Sequence, residues 1–270
     1  MRHLIATTDF SEVANNAVRY ACHLAQDLDA QVTLLHSFII PVTFSDTPMP
    51  IIPVDESRAV AEERMAAFAS SLQQEFAGLS IRTKVMYGDI VDCLGELSEE
   101  SAPLLVVMGN SGDETPLWMG SNLMNALKNL KLSVMGVPAG VSYSPVKNIC
   151  LASDLKHVEQ DIPVDRIREL RTVTGGTLHL LHINTGGKST AADESGRSML
   201  MKRLSPPEPT FHEVVNTDIE AGISEFVAAN GMDWLVLIPH KYSLLEKIFH
   251  KSQTKAVARV SPVPVIAMHV

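Results

Sequence analysis

Cysteine is scarce and poorly spaced for cross-linking: Cys22, Cys93 and Cys150 are the only three, with no CxxC pair. A disulfide or zinc framework is therefore excluded, and reduced thiols in a cytoplasmic protein are expected. Long apolar runs are lacking as well. No uncharged stretch approaches the about 18 residues that a membrane-spanning helix needs, so no membrane partner is expected. Met1-Arg2-His3 leads only into the short run Leu4-Ile5-Ala6 before Asp9, which predicts no cleavable secretory signal. Basic charge is also in short supply where it would matter. Residues 1–145 carry 8 Lys plus Arg against 17 Asp plus Glu, while residues 146–270 carry 14 of each. Nucleic-acid binding rests on neutralising phosphates, and an acidic chain without a basic arm makes nucleic acid an unexpected partner. A GxSxG elbow, an HExxH pair and paired catalytic carboxylates are all missing.

What the chain does have is apolar content, 46% over 270 residues, enough for an ordinary core in each of two domains. It also has a repeat. Ile5-Ala6-Thr7-Thr8-Asp9-Phe10 is answered by Cys150-Leu151-Ala152-Ser153-Asp154-Leu155. Thr33-Leu34-Leu35-His36 recurs as His179-Leu180-Leu181-His182, and Leu104 to Met108 recurs as Trp234 to Ile238. Domains over 1–140 and 146–270 follow, with Pro138 to Pro145 as the linker, because two prolines and a glycine stop both helix and strand.

Within each copy, β-rich runs alternate with helical patterns, as in βαβ units on a parallel sheet. Ala14, Ala17, Val18, Ala21, Leu24 and Ala25 recur at helical steps behind Ser11, a candidate N-cap; Ala61, Met65, Phe68, Ala69, Leu72 and Phe76 repeat the pattern. Strands are predicted near 2–8, 31–36, 81–86, 104–108 and 133–137, giving five strands and four helices per half. Phe38 to Val54 and its counterpart Asn184 to Pro209 read as irregular excursions. The closing strands, Ser133 to Val137 and Val263 to Met268, are apolar and are expected to hide against each other.

Ligands of open parallel sheets gather at the carboxyl ends of the strands. Asp9, Ser37 and Gly109 sit at such ends. After the strand come Gly109-Asn110-Ser111-Gly112, seven residues, and Gly120-Ser121-Asn122 opening an amphipathic stretch. Glycines let backbone N–H groups approach phosphate, and a helix start supplies donors and positive dipole. The same string also serves simply as a turn, and Asp9 serves equally as a helix cap.

These residues together, with Leu34-Leu35-His36 and Tyr87-Gly88-Asp89, resemble the universal stress proteins over nearly the whole chain, as a tandem pair. The resemblance implies an α/β fold: two doubly wound, Rossmann-like five-stranded parallel-sheet domains of the adenine nucleotide alpha hydrolase type, packed as a pseudo-dimer. It implies a stress-response or regulatory module with ATP or another adenine nucleotide as ligand, with Mg or Mn beside a triphosphate. In ATP-binding members the motif is G-x2-G-x9-G-[ST]. Carried over, it assigns Asp9, Gly109, Gly112, Gly120 and Ser121, with Ser37, Met108, Ser111 and Asn122 completing the candidate set. Seven residues stand where the motif has nine, and Asp113 and Glu114 lie between. The alternative reading is an interaction scaffold of the same fold without nucleotide. At most slow ATP hydrolysis is expected, since no general base or arginine finger accompanies the loop. A homodimer is left open.

The second half carries Pro239-His240-Lys241-Tyr242 and His250-Lys251-Ser252 where the motif has glycines, so nucleotide is not expected there. Lys241, Lys247, His250, Lys251 and Lys255 form a basic cluster, read as a solvated helix face, as contacts with the acidic first half, or as an anion pocket. Gly187-Lys188-Ser189 ends like a phosphate-binding loop, but its first-glycine position is His182 in a predicted strand, and no helix is expected to start at Ser189. His179 and His182 point to opposite faces of one strand and are not expected to share a metal; His36 and His182 are expected as buried neutral histidines.

Overall fold

The structure is a computed structural model, and it describes residues 2–39, 54–111, 120–155, 158, 162–187, 190–238 and 261–269. In the first half, β1 (Arg2–Thr7), α1 (Glu12–Asp27), β2 (Ala30–Phe38), α2 (Val54–Glu75), β3 (Ile81–Tyr87), α3 (Ile90–Ser101), β4 (Leu105–Asn110), α4 (Gly120–Asn129) and β5 (Val134–Pro138) follow in order. The second half holds β6 (Asn148–Ala152), α5 (Val164–Thr174), β7 (Thr177–Asn184), α6 (Ala191–Leu204), β8 (Thr210–Val215), α7 (Ile219–Ala229), β9 (Trp234–Leu237) and β10 (Val265–Ala267).

The ten strands of the described residues join one sheet in the order β3-β2-β1-β4-β5-β10-β9-β6-β7-β8. Neighbours run parallel except at the centre, where β5 and β10 pair antiparallel through Val265 with Gly136, Ile266 with Met135 and Ala267 with Val134. The two apolar closing strands thus cover each other, and the halves pack as a pseudo-dimer about that seam. Pro138 lies inside β5, opposite Asn110. As the last residue of the strand it lacks only an N–H that the ladder does not need there.

Alternation along the strands divides the core into two layers. Leu4 and Ala6 face one layer with α1, α2, α5 and α6; Ile5 faces the other with α3, α4 and α7. Both layers run through both halves. The six positions of α1 singled out by periodicity are all buried, and Ser11 caps the helix by accepting the Ala14 N–H at 3.2 Å. Across the seam, Trp234 Nε1–H donates to the Tyr20 hydroxyl at 2.7 Å, both side chains being buried. Burial pushes the Tyr20 hydroxyl up to about 12, so it stays a neutral acceptor.

The excursion predicted for Asn184 to Pro209, with no helix starting at Ser189, is corrected: it contains α6, which begins at Ala191 behind the N-cap Thr190. The helix has a weak apolar stripe, but a capping box announces it, Thr190 accepting from the Asp193 N–H at 3.2 Å while Asp193 accepts from the Thr190 N–H at 2.8 Å. Glycine at 196 is a packing requirement, because a Cβ there would lie 2.0 Å from the Leu155 carbonyl oxygen. The loop from Lys188 to Ser189 and most of the Phe38 to Val54 excursion lie outside the described residues.

A polar chain crosses the second half. Asn148 Nδ2 donates to the Gly231 carbonyl at 3.1 Å, which turns Oδ1 toward His179 Nε2 at 3.3 Å. His179 Nε2 must then carry the proton, leaving Nδ1 to accept from His212 Nε2 at 3.0 Å. Burial holds both imidazoles below their ordinary value, and His212 adds repulsion against a charged His179. The unfolded chain therefore takes up protons near pH 6.5 that the folded chain refuses, so stability is full above that pH and falls as pH drops below it. Urea midpoints measured from pH 7.5 to 5 are expected to decline, and His212→Gln, which keeps an N–H donor but does not titrate, is expected to flatten the decline. Gly196→Ala is expected to cost about 3 kcal/mol in the same urea measurement, because backbone must move to admit the methyl.

Candidate functional site

In the first half the chain leaves β1 and builds β2 and β3 on one side of it before crossing back to β4 on the other, so the switch point lies between the carboxyl ends of β1 and β4. The turn after β1 is held tightly. The Thr8 N–H donates to the Leu35 carbonyl at 2.9 Å, extending the sheet by one bond. Phe10 then takes a left-handed conformation, φ 67°, with its N–H on Thr8 Oγ1 at 2.9 Å. Asp9 Oδ1 accepts the Ser11 N–H at 2.9 Å. The helix-capping role therefore belongs to Ser11, and Asp9 stands exposed ahead of it. His36 Nδ1–H donates to the Thr8 carbonyl at 2.8 Å and packs on Phe10, ring centroids 4.6 Å apart.

A cleft of about 290 Å³ opens at this switch point. Asp9 and Ser37 line one side, Met108, Gly109 and Ser111 the end of β4, and Asn122 the start of α4. Gly120 and Ser121 begin α4, while Gly112 lies outside the described residues. Sequence reasoning missed Thr7, Thr8, Val13, Ala14, Ile90 and Leu123, which also line the cleft. Most are first-turn or strand-end positions, and the N-cap Asp89, accepting the Val91 N–H at 2.8 Å, was a readable signal for Ile90.

The starts of α1, α3 and α4 thus border one cavity, and each brings backbone donors and the positive end of a helix dipole. Met108, Ile90, Val13 and Leu123 supply apolar wall. Among the described residues the lining holds no Lys or Arg, and its only charge is Asp9. The arrangement suits a ligand with an apolar ring, hydroxyls for Asp9 and Ser37, and an anionic end at α4. Glycine at 109 has a separate reason: a Cβ would stand 3.0 Å from backbone atoms of Val13 and Ala14, so its absence lets α1 lie against β4.

The second half repeats the turn. Leu155 has φ 60°, its N–H reaches Ser153 Oγ at 3.1 Å, and His182 Nδ1–H donates to the Ser153 carbonyl at 3.1 Å. His36 and His182 are half-buried at these equivalent places, not fully buried as expected, because each ring lies at the mouth of its strand ends. His179 turns to His212 and not to His182. No cluster of three metal-ligating side chains occurs among the described residues, and no helix there is long and apolar enough to cross a membrane. Lys241 to Lys255 and Ser252 lie outside the described residues.

A sequence profile for the universal stress protein family matches residues 1–138 and again residues 145–269. A universal stress protein from Archaeoglobus fulgidus DSM 4304 superposes with a TM-score of 0.70 at 17% identity, covering 99% of this chain and 98% of its own. A putative universal stress protein from Pseudomonas aeruginosa UCBPP-PA14 gives a TM-score of 0.57 at 13% identity over 99% of this chain and 93% of its own. A universal stress protein in complex with cAMP aligns over 52% of this chain and 98% of its own, at 22% identity and a TM-score of 0.41. No curated protein matches. Replacing Gly109 by Ala is expected to lower stability by about 1–3 kcal/mol, read as a fall in thermal midpoint, because two backbone segments must part to admit the methyl.

Proposed function

Since both halves match that profile, the chain belongs to the universal stress protein family, and on that premise we propose that its first half binds an adenine nucleotide as a regulatory ligand. The observation that carries the reading is the cleft at the switch point, where six of the nine candidate residues line one cavity beside three helix starts. Met108 and Ile90 offer an apolar face for the base. Asp9 and Ser37 accept or donate to ribose hydroxyls, and the first turn of α4 receives phosphate. Stress response is the role that goes with such a module. Catalysis is not part of the proposal, because the described lining holds no base positioned for water attack and no arginine.

One observation favours a second reading, an interaction scaffold without nucleotide. The only charge on the described lining is the Asp9 carboxylate, and Asp113 and Glu114 follow in sequence, so a triphosphate meets repulsion that no cation on the lining relieves.

The two readings separate by titration calorimetry. AMP and ADP are expected to bind about as well as ATP without metal, and Mg or Mn is expected to strengthen ATP most. Gly120→Val is expected to abolish binding and Ser252→Ala to leave it unchanged. Heats absent for all three nucleotides at millimolar concentration favour the scaffold. Binding lost in Ser252→Ala but kept in Gly120→Val places the ligand in the other half.

A further inference from the structure

The opposite end of the sheet carries a larger cavity, about 450 Å³, on the seam between the halves. Arg2, His3 and the turn from Ser101 to Leu104 wall it from the first half; Arg166 and Glu169 of α5 wall it from the second. Two polar groups there are only partly used. His3 is 6% exposed, and its Nε2 is spent on Thr33 Oγ1 at 2.8 Å, across on β2. Nδ1, on the other side of the ring, is buried and has no hydrogen-bond partner among the described residues. It sits beside the Ser101 backbone without completing a hydrogen bond to it. Burial holds the imidazole below its ordinary value, so it is neutral at pH 7.

Arg166 is the second group. Its Nη1 donates to the Lys131 and His269 carbonyls, and its Nη2 donates to Lys131, each at 3.2 Å. These bonds fix the guanidinium between the halves. Among the described residues they leave unspent the Nε–H and one Nη2–H, which share one edge of the plane. That edge is the fork that matches two oxygens of a carboxylate or phosphate. No carboxylate of the described residues pairs with it, since the ion pairs found there are Arg19 with Glu75 and Lys84 with Glu100.

We propose that this seam cavity is a second binding site, for a compact organic anion whose carboxylate or phosphate oxygens pair with the open edge of Arg166, beside the wall that His3 forms. The volume suits a small molecule. Two guanidiniums, Arg2 and Arg166, against the single carboxylate of Glu169 leave the described lining net cationic, which favours an anion. Because Arg166 ties α5 to the end of α4 and the final residues of the chain, a bound anion also stiffens the junction between the halves.

The test uses the full chain with inorganic phosphate and succinate as probes and chloride at equal ionic strength as the control. The readout is the His3 imidazole nitrogen resonance, which a ligand in the nucleotide cleft does not touch. A saturable shift with phosphate, succinate or both is expected, the preferred probe naming the ligand class, while AMP leaves the resonance in place. Arg166→Lys keeps the charge but loses the fork and is expected to weaken binding at least tenfold. His3→Asn, which removes the ring from the cavity wall, is expected to weaken binding measured by calorimetry. A His3 resonance indifferent to both probes overturns the proposal, as does an equal response in Arg166→Lys. Neither result bears on the nucleotide cleft, and loss of nucleotide binding does not bear on the seam.

Discussion

The antiparallel ladder between β5 and β10 is the constraint on which the rest of the molecule depends. Each half on its own is a parallel sheet with one apolar edge strand, Val134–Pro138 or Val265–Ala267, whose unpaired backbone groups would recruit another chain. Pairing the two edges satisfies both at once and fuses the halves into one sheet of ten strands. Everything specific to the seam follows: the Tyr20–Trp234 hydrogen bond, the two continuous apolar layers, and the cavity braced by Arg166. The remaining edges among the described residues, β3 and β8, carry exposed polar positions, Arg82, Thr83 and Lys84 on one and Thr210 and Glu213 on the other.

Duplication explains why the two halves share a turn and yet differ in chemistry. In both, a hydroxyl residue after the first strand accepts from a left-handed residue two positions on, and a histidine on the next strand clamps its carbonyl. That device fixes where the aspartate after the first strand is presented, Asp9 or Asp154. Elsewhere the copies have diverged. The polar pair His3–Thr33 in one half answers Asn148–His179 in the other, where a further imidazole lengthens the chain. One half gains an acid-sensitive pair, and the other keeps a buried nitrogen on the wall of a cavity.

The two candidate sites lie at opposite ends of the sheet and rest on different physics. The cleft at the carboxyl ends of the strands relies on helix starts and close backbone approach, with no cation on its described lining. The seam cavity relies on a guanidinium fixed by carbonyls. A weakly cationic site suits small anions, whereas helix starts accept a phosphate at the end of a longer molecule.

Local periodicity and the repeat determined a good deal. Strand positions, the buried face of α1, the Ser11 cap and the doubling of the chain were all legible, because alternation at two and at three to four residues reflects burial directly. The end-of-strand rule singled out Asp9, Ser37 and Gly109, and the cleft where they meet is also lined by Met108, Ser111 and Asn122, which entered with the family resemblance. Helix α6 escaped because its apolar stripe is weak and its stability comes from a capping box and from Gly196 against Leu155, a contact 41 residues away in sequence. The reason for glycine at 109 was likewise hidden: the sequence suggests phosphate approach, while the fold shows the Val13–Ala14 backbone in that space. Arg166 and His3 carry no motif at all. Their open donors exist only because carbonyls and a hydroxyl from distant segments consume the others, and hydrogen bonds between segments more than 25 residues apart leave no local pattern to read.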